Sequence, residues 1–249
     1  MWLVLRPEHK IHLSQDAFAQ AGIDVIGLAL QTVLPKDNVQ EIVTQQDFIH
    51  TDVIIFTSQM AAQLALPFIG DLPNHTYIYA IGKSTFQTLA QWTEQYPFWC
   101  NSHQMIVPPV AQQTSEGILQ LPSLQQLAGK RALIIKGERG RSTLTEAMTE
   151  RGAEVTSCMV YERNALTTPI ATQVWELDDI HGVVVTSNEQ LQLAYDVYPH
   201  SWLCELKWIV VSPRIAQYAH ALGIPNHNIT VTYGADDAAL IERIQQLME

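Results

Sequence analysis

The stretch Leu3–Val25, LVLRPEHKIHLSQDAFAQAGIDV, returns 130 positions later as LIIKGERGRSTLTEAMTERGAEV, Leu133–Val155, without a gap. Leu3/Leu133, Glu8/Glu138, Ala17/Ala147, Gly22/Gly152 and Val25/Val155 coincide, and Lys136 stands in for Arg6. The likeness extends further. DVIIFTSQMAAQLAL, with Thr57-Ser58, is answered by GVVVTSNEQLQLA, with Thr186-Ser187. TYIYAIGKSTFQTLA from Thr76 is answered by WIVVSPRIAQYAHALG from Trp208, which sets Gly82 opposite Ser212. Whatever one copy builds, the chain has to build twice.

Inside each copy, short runs rich in β-branched and aromatic residues alternate with helix-like stretches. That alternation belongs to βαβ crossovers and a parallel sheet. The runs place strands at Leu3–Leu5, Val25–Leu30, Val53–Thr57, Tyr77–Ile81, Met105–Val107, Ala132–Ile135, Val155–Tyr161, Val183–Thr186, Trp208–Val211 and Ile229–Thr232, enough for two five-stranded sheets. Gly22 and Gly152 fall where a helix hands over to the next strand, a place for left-handed backbone. The 249 residues exceed one ordinary domain, which favours two α/β domains.

Composition mainly excludes. Fourteen Lys and Arg against 25 Asp and Glu give a formal charge of −11, which argues against a face that tracks a nucleic acid backbone. The apolar run before Arg6, Glu8, His9 and Lys10 is too short for a secretory signal, and none approaches the ~20 residues of a membrane span. A soluble, cytoplasmic protein with no membrane partner is expected. Cys100, Cys158 and Cys204 are far apart and lack C-x-x-C spacing, so they read as reduced thiols.

In open parallel sheets, ligands bind beyond the carboxyl ends of the strands. Arg6, Lys10, Thr57, Ser58, Gly82, Lys83, Ser84, Thr85, Lys136, Gly137, Arg139, Arg141, Thr186, Ser187, Asn188, Ser212 and Arg214 collect there, among them half of the basic residues. Hydroxyls, first-turn amides and cationic side chains suit an anion. Each hydroxyl taken singly is equally well read as a helix cap. Repetition over several strand ends of both copies tips the reading toward a polyanionic ligand. GKST at Gly82–Thr85 lacks the earlier glycine of a P-loop, Tyr77 standing in its place. GERGR at Gly137–Arg141 lacks dinucleotide-fingerprint spacing, and His9 with His12 has no further metal ligand, so neither a cofactor nor a metal is expected.

The ordered set LVLRP, FTSQMA, AIGKST, TSEGILQLP, AGKRALIIKGERGR, RGAEVTSCMVYER, VVVTSNE and VVSPRIAQYA resembles the uroporphyrinogen-III synthase family over nearly the whole chain. The resemblance implies two flavodoxin-like, or HemD-like, α/β domains joined by a two-stranded β-ladder linker, with the ligand in the cleft between them. Residues 1–33 with 167–249 would form domain one and 37–163 domain two. Residues 34–36 and 164–166 would carry the crossings, punctuated by Pro35 and Pro169. Without the resemblance, the repeat invites a single cut near Gly129.

The resemblance also implies the chemistry. The linear tetrapyrrole hydroxymethylbilane, with eight carboxylates, loses its ring A hydroxyl as water. Ring D then attacks through its substituted carbon to give a spiro intermediate, and reclosure yields the inverted type III macrocycle. Pyrrole nitrogens supply the electron push, so no cofactor is implied. The protein supplies an acid and an orientation. Tyr161 in CMVYERN matches the family's tyrosine and is the expected donor to the departing water. Arg6, Thr57, Ser58, Gly82, Lys83, Ser84, Thr85, Lys136, Gly137, Arg141, Thr186, Ser187, Ser212 and Arg214 are the expected substrate-binding residues. A monomer in transient contact with hydroxymethylbilane synthase is anticipated. A two-domain anion-binding protein or a nucleotide-sugar transferase would share the architecture and stands as the alternative.

Overall fold

The computed structural model describes every residue except 101–103, 109–112, 140–141, 233 and 249. The chain divides into two compact units, the first made of Met1–Val33 with Asn164–Glu249 and the second of Leu34–Arg163. It starts in the first unit with β1 (Trp2–Leu5), α1 (Ile11–Gln20) and β2 (Val25–Pro35). It leaves for the second unit inside β2. There it forms α2 (Val39–Thr44), β3 (Val53–Phe56), α3 (Gln59–Ala65), β4 (Tyr77–Ala80), α4 (Lys83–Gln95) and β5 (Met105–Ile106). Next come α5 (Ser115–Ile118), β6 (Arg131–Gly137), α6 (Thr143–Glu150) and β7 (Glu154–Ala171), within which the chain returns. The first unit is completed by β8 (Gly182–Val185), α7 (Asn188–Val197), α8 (His200–Glu205), β9 (Lys207–Val210), α9 (Pro213–Ala221), β10 (Ile229–Val231) and α10 (Asp237–Met248).

Neighbouring strands run β10-β9-β8-β1-β2 in the first unit and β7-β6-β3-β4-β5 in the second. Every one of these neighbours is parallel. The repeat is visible in the register: Trp2 faces Val25 as Ala132 faces Val155, and Leu3 faces Ile26 as Leu133 faces Thr156. All ten strands expected from the sequence are present.

Two-faced burial explains why the central strands read as unbroken apolar runs. In the first unit, Leu3, Leu5, Val183, Val185, Trp208 and Val210 pack against Leu191, Ala194, Ile215 and Ala219 of α7 and α9. The alternate residues Trp2, Val4, Val184 and Ile209 pack on the other face against Phe18, Leu240 and Ile244 of α1 and α10. In the second unit, Val53, Ile55, Tyr79, Ala132 and Ile134 meet Leu144 and Met148 of α6. At about 1.5–3 kcal/mol for each fully buried large aliphatic side chain, these faces are the main source of stability in either unit.

Both copies end their first helix alike. Gly22 (φ 73°) and Gly152 (φ 88°) take the left-handed conformation. The N–H of each glycine and of the residue after it return to helix carbonyls: Gly22 to Ala19 and Ile23 to Phe18, Gly152 to Thr149 and Ala153 to Met148. This paired closure satisfies two otherwise orphaned carbonyls per helix and points the chain at the next strand.

β2 and β7 run beyond their expected limits of Leu30 and Tyr161, to Pro35 and Ala171. In the first unit, Thr172 N–H donates to Gly27 O at 3.0 Å. In the second, Lys36 N–H donates to Val160 O at 3.1 Å. Among the described residues no helix is long and apolar enough to cross a membrane.

Candidate functional site

In the second unit the carboxyl ends of β3, β4 and β6 lead into three turns. Thr57 N–H and its hydroxyl both donate to Ile135 O, at 3.1 Å each, so this side chain locks β3 to β6. Ser58, in extended backbone (φ −159°, ψ 160°), caps α3 by accepting from Ala61 N–H at 3.1 Å. Gly82 starts α4 in similar extended backbone (φ −134°, ψ 164°) with no side chain to cap it. The next amide, that of Lys83, donates instead to Gln113 Oε1 at 3.0 Å. Thr85 is buried, whereas Lys83 and Ser84 are exposed. Lys136 is buried near the end of β6, and that burial pushes its ammonium below the usual lysine range.

Tyr161 enters this group through a register irregularity. β6 and β7 pair one to one up to Lys136 with Met159, and then Gly137 pairs with Tyr161. The bulge re-aims the side chain that follows it. Tyr161 is 3% exposed, and its ring lies against Gly137, where a Cβ would fall 2.4 Å from a ring carbon. Only glycine fits beside the ring without a shift. The phenol oxygen is 3.2 Å from Ser58 Oγ and accepts from Arg163 Nη2 at 3.3 Å. The Arg163 guanidinium carbon lies 5.6 Å from the ring centroid.

The first unit repeats the capped turns. Ser187 (φ −152°, ψ 154°) caps α7 by accepting from Gln190 N–H at 3.2 Å, and Ser212 (φ −164°, ψ 154°) caps α9 by accepting from Ile215 N–H. The Thr186 hydroxyl donates to Oε1 of the buried Gln190 at 3.0 Å. A serine that caps has given one lone pair to the helix and keeps its own proton, so capping and ligand binding are compatible roles. Arg214 is exposed in the first turn of α9.

Arg6 behaves differently. Its guanidinium is buried and donates to Asp237 Oδ1 of α10 at 2.6 Å and to Ser14 Oγ at 3.2 Å, while the Ser14 hydroxyl donates to the same Asp237 oxygen at 2.9 Å. Lys10 nearby is held below the usual lysine range, first by burial and then by the Arg6 charge. A cavity of about 340 Å³ in the first unit is lined by Glu8, His9, His12, Thr32, Val33 and Ile170, with Ile11 at its wall. Among the described residues no group of three or more His, Cys, Asp or Glu is placed to hold a metal. Arg141 lies outside the described residues.

The structure thus joins Thr57, Ser58, Gly137 and Tyr161 in one unit and Thr186 and Ser187 in the other. Sequence reasoning missed Arg163 on the phenol, Gln190 on Thr186, Gln113 on the Lys83 amide and Asp237 on Arg6. Apart from Gln190, which lies one turn into the helix that Ser187 caps, these partners are remote or carry no local signature.

Solved structures share this fold over almost their whole length. Uroporphyrinogen III synthase of Thermus thermophilus superposes with a TM-score of 0.60 at 12% identity, covering all of this chain and 98% of its own. The Helicobacter pylori 26695 enzyme gives 0.56 at 16% identity, covering 98% of each chain. The class is therefore the mostly parallel α/β architecture of those proteins. Uroporphyrinogen-III synthase of Escherichia coli K12 is 39% identical over 173 residues, 67% of this chain and 66% of its own length. The Salmonella typhimurium LT2 protein is 41% identical over 143 residues, 55% of this chain and 57% of its own. The family model described as uroporphyrinogen-III synthase HemD matches residues 13–239, and the chain belongs to that family.

Proposed function

We propose that this protein closes hydroxymethylbilane into uroporphyrinogen III, with inversion of ring D through a spiro intermediate and loss of water. The observation that carries this reading is the family match over residues 13–239, which spans every serine-capped turn of both units. The substrate's eight carboxylates call for many dispersed donors. Capped serines, first-turn amides and the cations Lys83, Lys136, Arg141 and Arg214 supply them, with Thr57, Gly82, Ser84, Thr85, Gly137 and Thr186 shaping the turns.

No nucleophile and no cofactor enters the scheme. The pyrrole nitrogen of ring A expels the hydroxyl, which leaves as water once a proton reaches it, and ring closure returns a proton to the protein. Tyr161 is the acid in this reading, its phenol oriented by Ser58 and its ring packed against Gly137. Free closure of the same intermediate gives the uninverted type I macrocycle, so selectivity rests on holding ring D for attack through its substituted carbon. We read the working form as a cytoplasmic monomer that takes its unstable substrate by transient contact with hydroxymethylbilane synthase.

The test is a coupled assay that makes hydroxymethylbilane in place and separates the oxidised products into type I and type III isomers. Predominantly type III product is expected. Type I alone, from folded protein, overturns the reading.

A further inference from the structure

The phenol of Tyr161 is almost wholly buried, whereas Ser58, whose Oγ lies 3.2 Å from it, is only half-buried. The donors and acceptors around these two oxygens admit an arrangement in which the phenol donates to the serine. Arg163 has donors only, so its contact with the phenol oxygen occupies a lone pair and cannot accept the phenol proton. Ser58 Oγ already accepts from Ala61 N–H at 3.1 Å and has one lone pair left, which the phenol O–H can fill. With both lone pairs used, the Ser58 hydroxyl keeps a single proton of its own, on the more exposed of the two groups. In that arrangement a ligand at this strand end meets the serine proton, not the phenol's.

We infer that Ser58 is the group that delivers the proton to the departing hydroxyl, refilled in the same step by Tyr161, with Arg163 as the positioning residue that holds the resulting phenolate. This rests on the proposed cyclisation. In the step, the carbon–oxygen bond of the ring A hydroxymethyl group breaks and its electron pair leaves with oxygen. The Ser58 proton moves to that oxygen to complete water, and the phenol proton moves to Ser58 Oγ. Negative charge comes to rest on the Tyr161 oxygen beside the Arg163 guanidinium, and positive charge on the azafulvenium of ring A. The proton lost at ring closure returns through Ser58 to the phenolate, so no other reactant is consumed.

The test compares Ser58→Ala, Ser58→Thr and Ser58→Asn with Tyr161→Phe and the Ser58→Ala/Tyr161→Phe double variant in the coupled assay. Thr and Asn both cap a helix, but only Thr carries a hydroxyl proton to pass on. The relay predicts that Ser58→Thr stays within about threefold of wild type, while Ala and Asn lose roughly 10²-fold in kcat with little change in KM. The double variant is then no slower than Tyr161→Phe alone. Asn as active as Thr, or losses that multiply in the double variant, overturns the relay. A second readout needs no turnover: with ¹³Cζ-labelled tyrosine, the signal lost in Tyr161→Phe should shift in Ser58→Ala. An unmoved signal in protein that makes type III product removes the relay alone. Wild-type protein that makes only type I product removes the cyclisation reading and the relay with it, and a shifted signal then still reports the contact.

Discussion

The two units share one serine-capped turn but differ at the strand ends around it. Ser58 and Ser187 cap their helices in nearly the same backbone conformation, 129 positions apart. Beside them the copies diverge. The second unit has a bulged β7 that lays Tyr161 on Gly137, with Lys136 buried next to it. The first unit pairs β1 with β2 in unbroken register over Trp2–Leu5, has Pro7 where the other has Gly137, and has Gln31 at the position 130 before Tyr161. Its cation, Arg6, is paired with a carboxylate of its own chain. The two copies thus share the Ser58/Ser187 cap, and a one-residue bulge with a glycine against the ring distinguishes the copy that holds a phenol.

The largest effect expected from breaking this asymmetry is on rate. Tyr161→Phe should lower type III formation by roughly 10²–10⁴-fold, the range of a lost general acid, while substrate binding is largely kept. Full activity in that variant removes Tyr161 from the mechanism and makes the two units functionally alike. Asp237→Asn tests the opposite unit. It leaves the buried Arg6 charge without its carboxylate, and denaturant unfolding should show a loss of roughly 2–3 kcal/mol, less than for a fully buried pair because Asp237 is partly exposed. Unchanged stability would mean that Arg6 is held by packing alone.

Gly137→Ala comes next. Its methyl would overlap the Tyr161 ring, and the strain should cost about 1–3 kcal/mol and displace the phenol, seen as a lower denaturant midpoint together with slower turnover. An unaltered rate would show that the ring need not be held against Gly137. The smallest effect is at the counterpart position. Gln31 is 3% exposed, and its Oε1 has no hydrogen-bond partner among the described residues. Gln31→Leu removes that buried carbonyl and should leave stability unchanged or raise it by up to about 1 kcal/mol. A clear loss would mean that Gln31 makes a polar contact worth keeping.

Much of the fold was legible because two-faced burial writes itself into the chain as runs such as VIIF and GVVV, and because the Gly22/Gly152 pair marks equivalent helix ends. The crossing strands were harder to delimit. Gln31, Thr32, Glu162, Arg163, Thr167 and Thr168 lack the apolar density of a core strand, so β2 and β7 read as ending early. The bulge left no trace in residue type, since it depends on how β7 shifts against β6. Nor could local spacing bring Tyr161 to Ser58, 103 residues away, or show that Arg6 meets Asp237, 231 residues away. Residue types at strand ends suggested which groups to expect around an anion. Which of them are already engaged within the chain is decided by tertiary pairing.

The chain leaves the first unit at Val33 and returns only at Asn164, and this order governs how the protein is made. As the chain emerges from the ribosome, residues 34–163 form an uninterrupted segment that can begin to pair its strands early. The first unit's opening strand must wait. β1 lies between β2 and β8, so one of its edges stays open until residues beyond Gly182 arrive, and the Arg6 charge has no Asp237 until α10 is synthesised. An open strand edge beside an uncompensated charge favours chaperone capture and misassembly. Nascent chains stalled between Arg163 and Asp237 should therefore be the most exposed to aggregation, with the half that holds the phenol already assembled.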